Sequence, residues 1–327
     1  MTEIHPYAAL TPDTVLDAID SQGFFTDARI APLNSYENRV YQVGIEDEAP
    51  VIAKFYRPDR WTEAQIREEH AFALELASLE IPVVAPWCNA QGETLFHYAG
   101  FSFAVYPRYG GRAPDLENDD DLEVLGRLLG RLHAVGEQRP FVARPALTVD
   151  SFGTDSVAFL LSSDVIPSTI RPAYEAIALP LVEHIRTRMA EIPVRTLRLH
   201  GDCHPGNILW RDEAAHFVDL DDARSGPAMQ DLWMLISGDR AQQALSLSAI
   251  VDGYEQFREF DRRELALIEP LRALRALHYA AWLGRRWQDP SFPMHFPWFG
   301  TERYWGEHIQ NLRELQMSFN EPLLDLL

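Results

Sequence analysis

The segment between residues 199 and 222 constrains the fold more than any other part of the chain. It reads LHGDCHPGNILWRDEAAHFVDLDD, so Asp202 stands five positions before Asn207, and Asp219 follows after a brief predicted hairpin. Short strands and turns would bring a proton acceptor and two oxygen ligands together. A small number of oxygen ligands suits Mg²⁺, which keeps several waters and takes its other contacts from phosphates. The spacing predicts Asp202 as a general base, with Asn207 and Asp219 as metal ligands.

A lone lysine adds the cation that such a site needs. The chain has 29 basic residues, and Lys54 is the only lysine among them. It lies in the run VIAKFY (51 to 56), which pairs with RVYQVGI (39 to 45) as a predicted hairpin. Lys54 could be a chance survivor in an arginine-rich chain, but a strand interior is a poor place for a solvated charge. We therefore expect a functional lysine.

A helix after this hairpin offers the lysine a glutamate partner. Thr62 to Gln65 form a capping box, and apolar residues continue at helical spacing until Ile81-Pro82. Glu68 and Glu69 lie about two turns into this helix. Helical phasing favours Glu69 as the partner of Lys54 and leaves Glu68 as the alternative.

The order strand lysine, helix glutamate, Asp-x₄-Asn, aspartate is that of protein-kinase-like phosphoryl transfer from ATP. Each element alone is weak, because Asp and Asn also stabilise ordinary turns. The ordered set is more specific. It predicts an α+β, two-lobed, protein-kinase-like fold with ATP bound between the lobes, Lys54 on the α- and β-phosphates and Mg²⁺ on Asn207 and Asp219.

The predicted lobes divide near Pro107. Residues 1 to 105 form a small sheet-rich nucleotide-binding lobe with one main helix, and residues 106 to 327 form a larger, mainly helical catalytic lobe. The hinge is expected near residues 104 to 108. A further strand pair is predicted at 94 to 98 and 101 to 106. In the second lobe, a helix face runs from Leu122 to Leu132, and further predicted elements are helices around 172 to 190, 228 to 237, 242 to 258 and 262 to 286, with a β segment from 196 to 220.

Composition excludes several other classes of protein. The 327 residues carry a formal net charge of −20, which disfavours broad binding to nucleic acid or to anionic lipid. No apolar run of 18 residues occurs, and the start lacks a secretion signal, so a soluble cytoplasmic protein is the expectation. The only cysteines are Cys88 and Cys203. Because no CxxC pair completes a tetrahedral site with His200 and His204, we expect those histidines to brace the loop rather than bind zinc.

Longer segments resemble one bacterial family. His200-Gly201-Asp202 is similar to the loop of the aminoglycoside phosphotransferase and choline kinase superfamily. Within that superfamily, the chain resembles the stress response kinase A family in the segments NSYENRVYQV, AKFYRPDRW, LHGDCHPGNILWRD, FVDLDDARSGPAMQDLWMLISGD and FPWF. The resemblance implies monomeric, cytoplasmic, Mg²⁺-dependent serine/threonine protein kinases that counter stress linked to reactive oxygen species. It also implies that Asp202 is the proton acceptor, that Asn207 and Asp219 hold Mg²⁺, and that Ser35 lies at the ATP site.

Departures from the protein kinase pattern leave alternatives open. The loop from Asn34 to Asn38 has no GxGxxG, and only residues 220 to 226 separate Asp219 from Pro227, so there is no room for a long activation loop. A small-molecule phosphotransferase acting on a choline-like amine, homoserine or an aminoglycoside is the second hypothesis. A non-enzymatic nucleotide-binding scaffold is the third. Asp221 and Asp222 could support the metal site or form a solvated turn, and Asp231 is expected to anchor the catalytic loop.

Overall fold

The computed structural model describes residues 6–326. The chain forms two compact units that are discontinuous in sequence. The first contains the chain up to Asp115 together with Phe141–Arg144 and Asp202–Ala223, and the second contains Leu116–Pro140, Pro145–Gly201 and the chain from Arg224 onward. The mixed α+β fold predicted from the sequence is confirmed: the N-terminal part is built on an antiparallel sheet and the C-terminal part is mainly helical. The boundary at residues 105 and 106 stays a prediction, and most of the expected hinge lies in a strand.

A five-stranded antiparallel sheet organises the first unit, in the order β1-β2-β3-β5-β4. Its strands are β1 (Thr26–Pro32), β2 (Arg39–Ile45), β3 (Val51–Phe55), β4 (Phe96–Tyr98) and β5 (Phe101–Pro107). The helices are α1 (Pro12–Asp20) and α2 (Glu63–Ser78). A second hairpin, β7 (Ile208–Arg211) with β8 (Ala214–Phe217), belongs to the same unit and follows the Asp202–Asn207 turn.

Strand alternation places Lys54 on the face of the sheet opposite its main core. Ala53 and Phe55 belong to the apolar cluster that includes Val15 and Ile19 of α1. Lys54 pairs in register with Ala104, which belongs to a smaller cluster with Ile66 of α2. Because successive side chains of a strand point to opposite faces, β3 directs its lysine toward the α2 side.

The second unit is mainly helical. Its helices are α3 (Asp119–Gly136), α4 (Asp155–Ser162), α5 (Arg171–Glu191), α6 (Met229–Leu232), α7 (Arg240–Tyr254), α8 (Ile268–Arg285), α9 (Ser291–His295) and α10 (Glu302–Ser318). Strands β6 (Leu197–Leu199) and β9 (Arg224–Gly226) pair antiparallel. Helices α3 and α7 pack at backbone distance: a Cβ added to Gly126 would lie 2.0 Å from the carbonyl oxygen of Ile250. Within residues 6–326, no helix is both long and apolar enough to span a bilayer.

Candidate active site

Lys54 is the centre of a buried charge cluster in the first unit. Its side chain is only 7% exposed, and Nζ lies 2.7 Å from Oδ1 of Asp219 and 3.2 Å from Oδ1 of Asp221. Burial works to lower the pKa of Lys54, but the carboxylates of Asp219 and Asp221 outweigh it and raise that pKa well above its usual value. The side chain is therefore an ammonium held between two carboxylates.

Asp219 is placed by an unusual backbone conformation. It adopts left-handed angles, φ 59° and ψ 62°, immediately before the short 3₁₀ turn Leu220–Asp222. Aspartate tolerates this region better than most residues. The turn leaves the Asp219 side chain 51% exposed while Leu220 and Asp221 are buried. One predicted metal ligand is thus accessible at the edge of the charge cluster.

Asp221, for which the sequence left two roles open, is a buried member of the charge cluster. It is 3% exposed, ion-paired with Nη1 of Arg60, and bonded to Nδ2 of Asn38 at 3.2 Å. Burial raises the pKa of Asp221, yet Arg60 and Lys54 lower it further, to about 2. Asp222 accepts two bonds from Nη2 of Arg60, at 2.9 and 3.0 Å. Both aspartates are therefore ion-paired, and the solvated-turn alternative is wrong for the buried Asp221, whereas the side chain of Asp222 stays partly exposed.

The two glutamates of α2 have different surroundings. Glu68 accepts the backbone N–H groups of Val142, Ala143 and Arg144, at 2.6, 2.8 and 2.7 Å. Glu69 is buried, and its Oε2 has no hydrogen-bond partner. Burial raises the pKa of Glu69 to about 7 although the charge of Lys54 opposes this. Glu69 is therefore the glutamate that acts electrostatically on the lysine.

The expected Lys54–Glu69 ion pair is not formed in this structure. The lysine is engaged by Asp219 and Asp221, and among the described residues its ion-pair distances are to those two aspartates alone. The physical reason is the buried position of Asp221, which brings a permanently charged carboxylate closer to the ammonium than Glu69 comes. A direct role for Glu69 at the nucleotide stays a prediction.

The predicted catalytic loop is a compact turn stabilised by its own backbone. The carbonyl of Asp202 accepts from the N–H of His204 and from Nδ2 of Asn207, both at 2.9 Å. Nδ1 of His204 accepts the N–H of Gly206 at 3.0 Å. The N–H of Val218 donates to the carbonyl of Asn207 at 3.0 Å, so the turn is tied to the residue that precedes Asp219. These bonds bring the predicted base and both predicted metal ligands into one loop system.

Ser35 lies in the loop between β1 and β2. Its Oγ donates to the carbonyl of Asn38 at 3.1 Å, and Oδ1 of Asn38 accepts the N–H of Arg57 at 3.1 Å. Since Asn38 also bonds to Asp221, this loop is connected to the charge cluster through an amide side chain. Contact of Ser35 with ATP stays a prediction.

A second polar centre lies in the second unit, where Asp231 holds the residues just before Asp202 in the chain. Oδ2 of Asp231 accepts the N–H of His200, and Oδ1 accepts that of Gly201, both at 2.9 Å. Nε2 of His133 lies 3.0 Å from Oδ2. The prediction that Asp231 anchors the loop is confirmed.

The sheet with its inward-facing lysine and the Asp-x₄-Asn turn with its following aspartate define a kinase-like phosphotransferase. A sequence model of the phosphotransferase enzyme family matches residues 29–268. Stress response kinase A of Escherichia coli strain K12 is 47% identical over 320 residues, covering 98% of this chain and 97% of that protein. Serine/threonine protein kinase RdoA of Salmonella typhimurium strain LT2 is 47% identical over 324 residues, with coverages of 98% and 97%. The chain therefore belongs to the phosphotransferase enzyme family and, within it, to the stress response kinase A family.

Solved structures support the fold independently. The amicoumacin kinase hAmiN, in complex with AMP-PNP, Ca²⁺ and Ami, has a TM-score of 0.72 at 18% sequence identity, over 93% of this chain and 92% of that one. The prediction of a kinase-like fold is confirmed, and so is the resemblance to the stress response kinase A family.

Proposed function

We propose that this kinase transfers the γ-phosphoryl group of ATP, with Mg²⁺, to serine or threonine hydroxyls of a protein in a bacterial stress response. The observation that carries the proposal is the 2.7 Å contact between Lys54 and Asp219. A buried ammonium beside an accessible carboxylate provides one group for phosphates and one for a metal. The net charge of −20 makes such local charge necessary for holding a polyanionic nucleotide.

The donor atoms around Asp219 fit Mg²⁺. Nδ2 of Asn207 is engaged by the Asp202 carbonyl, so Oδ1 is the atom of that side chain that could act as a ligand. Among residues 6–326 no group of three or more His, Cys, Asp or Glu side chains could hold a metal ion by itself. Two oxygen donors, Asn207 Oδ1 and Asp219, suit an ion that completes its coordination with waters and phosphate oxygens. When bound, Mg²⁺ would neutralise charge on the β- and γ-phosphates.

We assign phosphate binding and proton transfer to side chains of the protein itself. Lys54 would hold the α- and β-phosphates, and Asp219, its present partner, would be a ligand of the metal. Asp202 accepts the proton of the acceptor hydroxyl. The oxygen of that hydroxyl bonds to the γ-phosphorus while the bond between the γ-phosphorus and the β–γ bridging oxygen breaks, which releases ADP. Ser35 supplies a hydroxyl donor to the phosphates from the loop at 34 to 38. Each of these roles needs the residue type found at its position.

The protein acceptor and the stress role are supported by the names of the relatives, which are 47% identical over nearly the whole chain. The cytoplasm is the proposed compartment. We propose that the protein acts as a monomer, with ATP and a Ser/Thr protein substrate as its partners, and binds neither nucleic acid nor membrane.

A small-molecule acceptor is the second candidate. Residues 220–226 contain only the turn Leu220–Asp222, Ala223 and the whole of strand β9. That length leaves no activation segment on which a peptide could lie, and the fold is shared with the amicoumacin kinase hAmiN.

The test is transfer of label from [γ-³²P]ATP and Mg²⁺ into a mixed pool of bacterial proteins and metabolites. We expect labelled phosphoserine or phosphothreonine with the unaltered chain and none with Asp202→Asn, a matched control of the same size. Label that appears only in small molecules would refute the protein acceptor. No transfer to either pool would refute the kinase mechanism.

A further inference from the structure

One buried arginine has no part in the mechanism described so far. Arg144 is 4% exposed, and its guanidinium stacks 4.1 Å from the ring centroid of Trp61. It donates from Nε to the carbonyl of Ala223 at 2.8 Å and from Nη2 to the carbonyl of Asp221. Burying a guanidinium is costly unless its hydrogen bonds are made. Here two of the three guanidinium nitrogens, Nε and Nη2, bond to the backbone of the turn that follows Asp219, and Nη1 has no hydrogen-bond partner among the described residues.

The segment that carries Arg144 is fastened to helix α2. Glu68 accepts three consecutive backbone N–H groups of residues 142–144, at 2.6 to 2.8 Å. Nε2 of Gln65 donates to the carbonyl of Ala143 at 3.1 Å. The ring of Phe72 packs against Phe141 with centroids 5.4 Å apart. Charge-assisted bonds to one carboxylate are among the stronger hydrogen bonds in proteins. Residues 141–144, called the strap below, should therefore move together with helix α2.

The strap therefore touches two elements that each bear a site residue. On one side is α2, which carries Glu69. On the other is the stretch 219–223, in which Asp219 and Asp221 hold Lys54. Arg144 fixes two carbonyls of that stretch, at positions 221 and 223, and a turn fixed at two carbonyls has little freedom to rotate the carboxylates it carries.

We propose that Arg144 is a positioning residue: through the strap, it couples the position of α2 to the orientation of the Asp219 and Asp221 carboxylates. This inference rests on the proposed function, because in it Arg144 keeps Asp219 and Asp221 oriented for their contacts with the metal and with Lys54. Arg144 itself touches neither phosphate nor metal. Its effect passes through the backbone of residues 221 and 223.

The consequence is a specific kinetic signature. If the turn is less rigid, part of the free energy of metal binding is spent on ordering the Asp219 side chain. A higher Mg²⁺ concentration is then needed for the same occupancy of the metal site. We expect Arg144→Lys to raise the Mg²⁺ concentration for half-maximal transfer at least fivefold, because a lysine ammonium cannot reproduce the planar, two-carbonyl geometry of the guanidinium. Glu68→Gln, which keeps the shape but removes the charge, should raise it two- to fivefold. Glu63→Gln is the matched control on the exposed face of α2 and should change it less than 1.5-fold.

Hydrogen–deuterium exchange supplies a readout that needs no turnover. Glu68→Gln should speed exchange of the amides of residues 142–144 about tenfold and should also speed exchange in the peptide containing the Ala223 amide, which donates to Leu220. Faster exchange confined to residues 142–144 would overturn the coupling. Faster exchange in both places with an unchanged Mg²⁺ requirement would reduce the strap to a structural brace and overturn the positioning role.

Failures of the two proposals are distinguishable. If the unaltered chain transfers no phosphoryl group, the proposed function fails, while exchange in Glu68→Gln still decides whether the strap couples α2 to the turn. If Arg144→Lys does not fold, as judged by circular dichroism, the Mg²⁺ requirement and exchange of Glu68→Gln decide the matter.

Discussion

Two buried aspartates that lie ten residues apart in the chain are held in opposite ways. Asp221, in the first unit, has side chains as its partners: Lys54, Arg60 and Asn38. Asp231, in the second unit, accepts two backbone N–H groups, from His200 and Gly201, at 2.9 Å each. Its Oδ2 also lies 3.0 Å from Nε2 of His133, and burial lowers the pKa of that imidazole.

The difference indicates which region can respond to a ligand. Backbone donors are fixed by the fold, so Asp231 has one arrangement and serves as an anchor. The partners of Asp221 are long cationic side chains, and one of them, Lys54, is shared with the accessible Asp219. In the proposed mechanism, a nucleotide would bind Lys54 and a metal would bind Asp219 in place of their mutual contact, and Asp221 would remain as the counter-ion of the lysine.

The largest expected effect is on turnover. Asp202→Asn should lower kcat about 10²- to 10⁴-fold, the usual contribution of a positioned general base. Nucleotide affinity and the melting temperature should stay near those of the unaltered chain, because Asp202 is in neither buried aspartate cluster. Steady-state kinetics with nucleotide binding by calorimetry check this, and full activity in the variant would show that Asp202 is not the base.

The next largest effect is on the free energy of unfolding, which should fall more when Asp221 is replaced than when Asp231 is replaced. Asp221→Asn removes the buried carboxylate that Arg60 and Lys54 share. Breaking such a buried pair typically costs about 3–5 kcal/mol in the free energy of unfolding. Urea denaturation monitored by circular dichroism measures it. Asp222→Asn, on the partly exposed neighbour, is the matched control and should cost less.

A pH effect of similar size comes from the second unit. Burial raises the pKa of Glu264 to about 7, although its carboxylate accepts the N–H of Met229 at 2.7 Å. The folded chain therefore binds this proton more tightly than the unfolded chain. Glu264 contributes stability that is fully present below about pH 4.5 and is lost as pH rises through 7, up to about 3 kcal/mol. Glu264→Gln should make the decline in unfolding free energy between pH 5 and 7 shallower, and an unchanged slope would refute this.

The smallest effect is expected at the anchor. Asp231→Asn keeps one acceptor oxygen but turns an amide nitrogen toward a backbone N–H, which should cost about 1–3 kcal/mol. Chemical denaturation checks it against Asp221→Asn. A larger loss of unfolding free energy in Asp231→Asn than in Asp221→Asn would contradict the contrast between a carboxylate bound by cationic side chains and one bound by backbone N–H groups.

Local patterns made much of the fold predictable. The hairpin around Lys54 is observed as β2 and β3 within one residue of the prediction, and the Thr62 capping box starts α2 as expected. Strand β1 was missed because Thr26–Pro32 is polar and its register with β2 is irregular between Thr26 and Ile30, so no alternation marks it.

The contacts that complete the site could not be read from the sequence. Arg60 and Asp221 are 161 residues apart, and Arg144 meets the turn across 77 residues. Neither pairing has a spacing rule, because only the fold brings those segments together. The ordered Lys, Glu, Asp and Asn motifs located the site, whereas the counter-ion of the lysine and the strap required the structure.

Labelling by a lysine-reactive ATP analogue tests the central claim most directly, since Lys54 is the only lysine in the chain. Peptide mass spectrometry should find one modified internal position, Lys54, with modification suppressed by Mg²⁺ and ATP. Modification of Lys54 that proceeds equally fast with saturating ATP would contradict the account, because the lysine would then not hold the nucleotide phosphates.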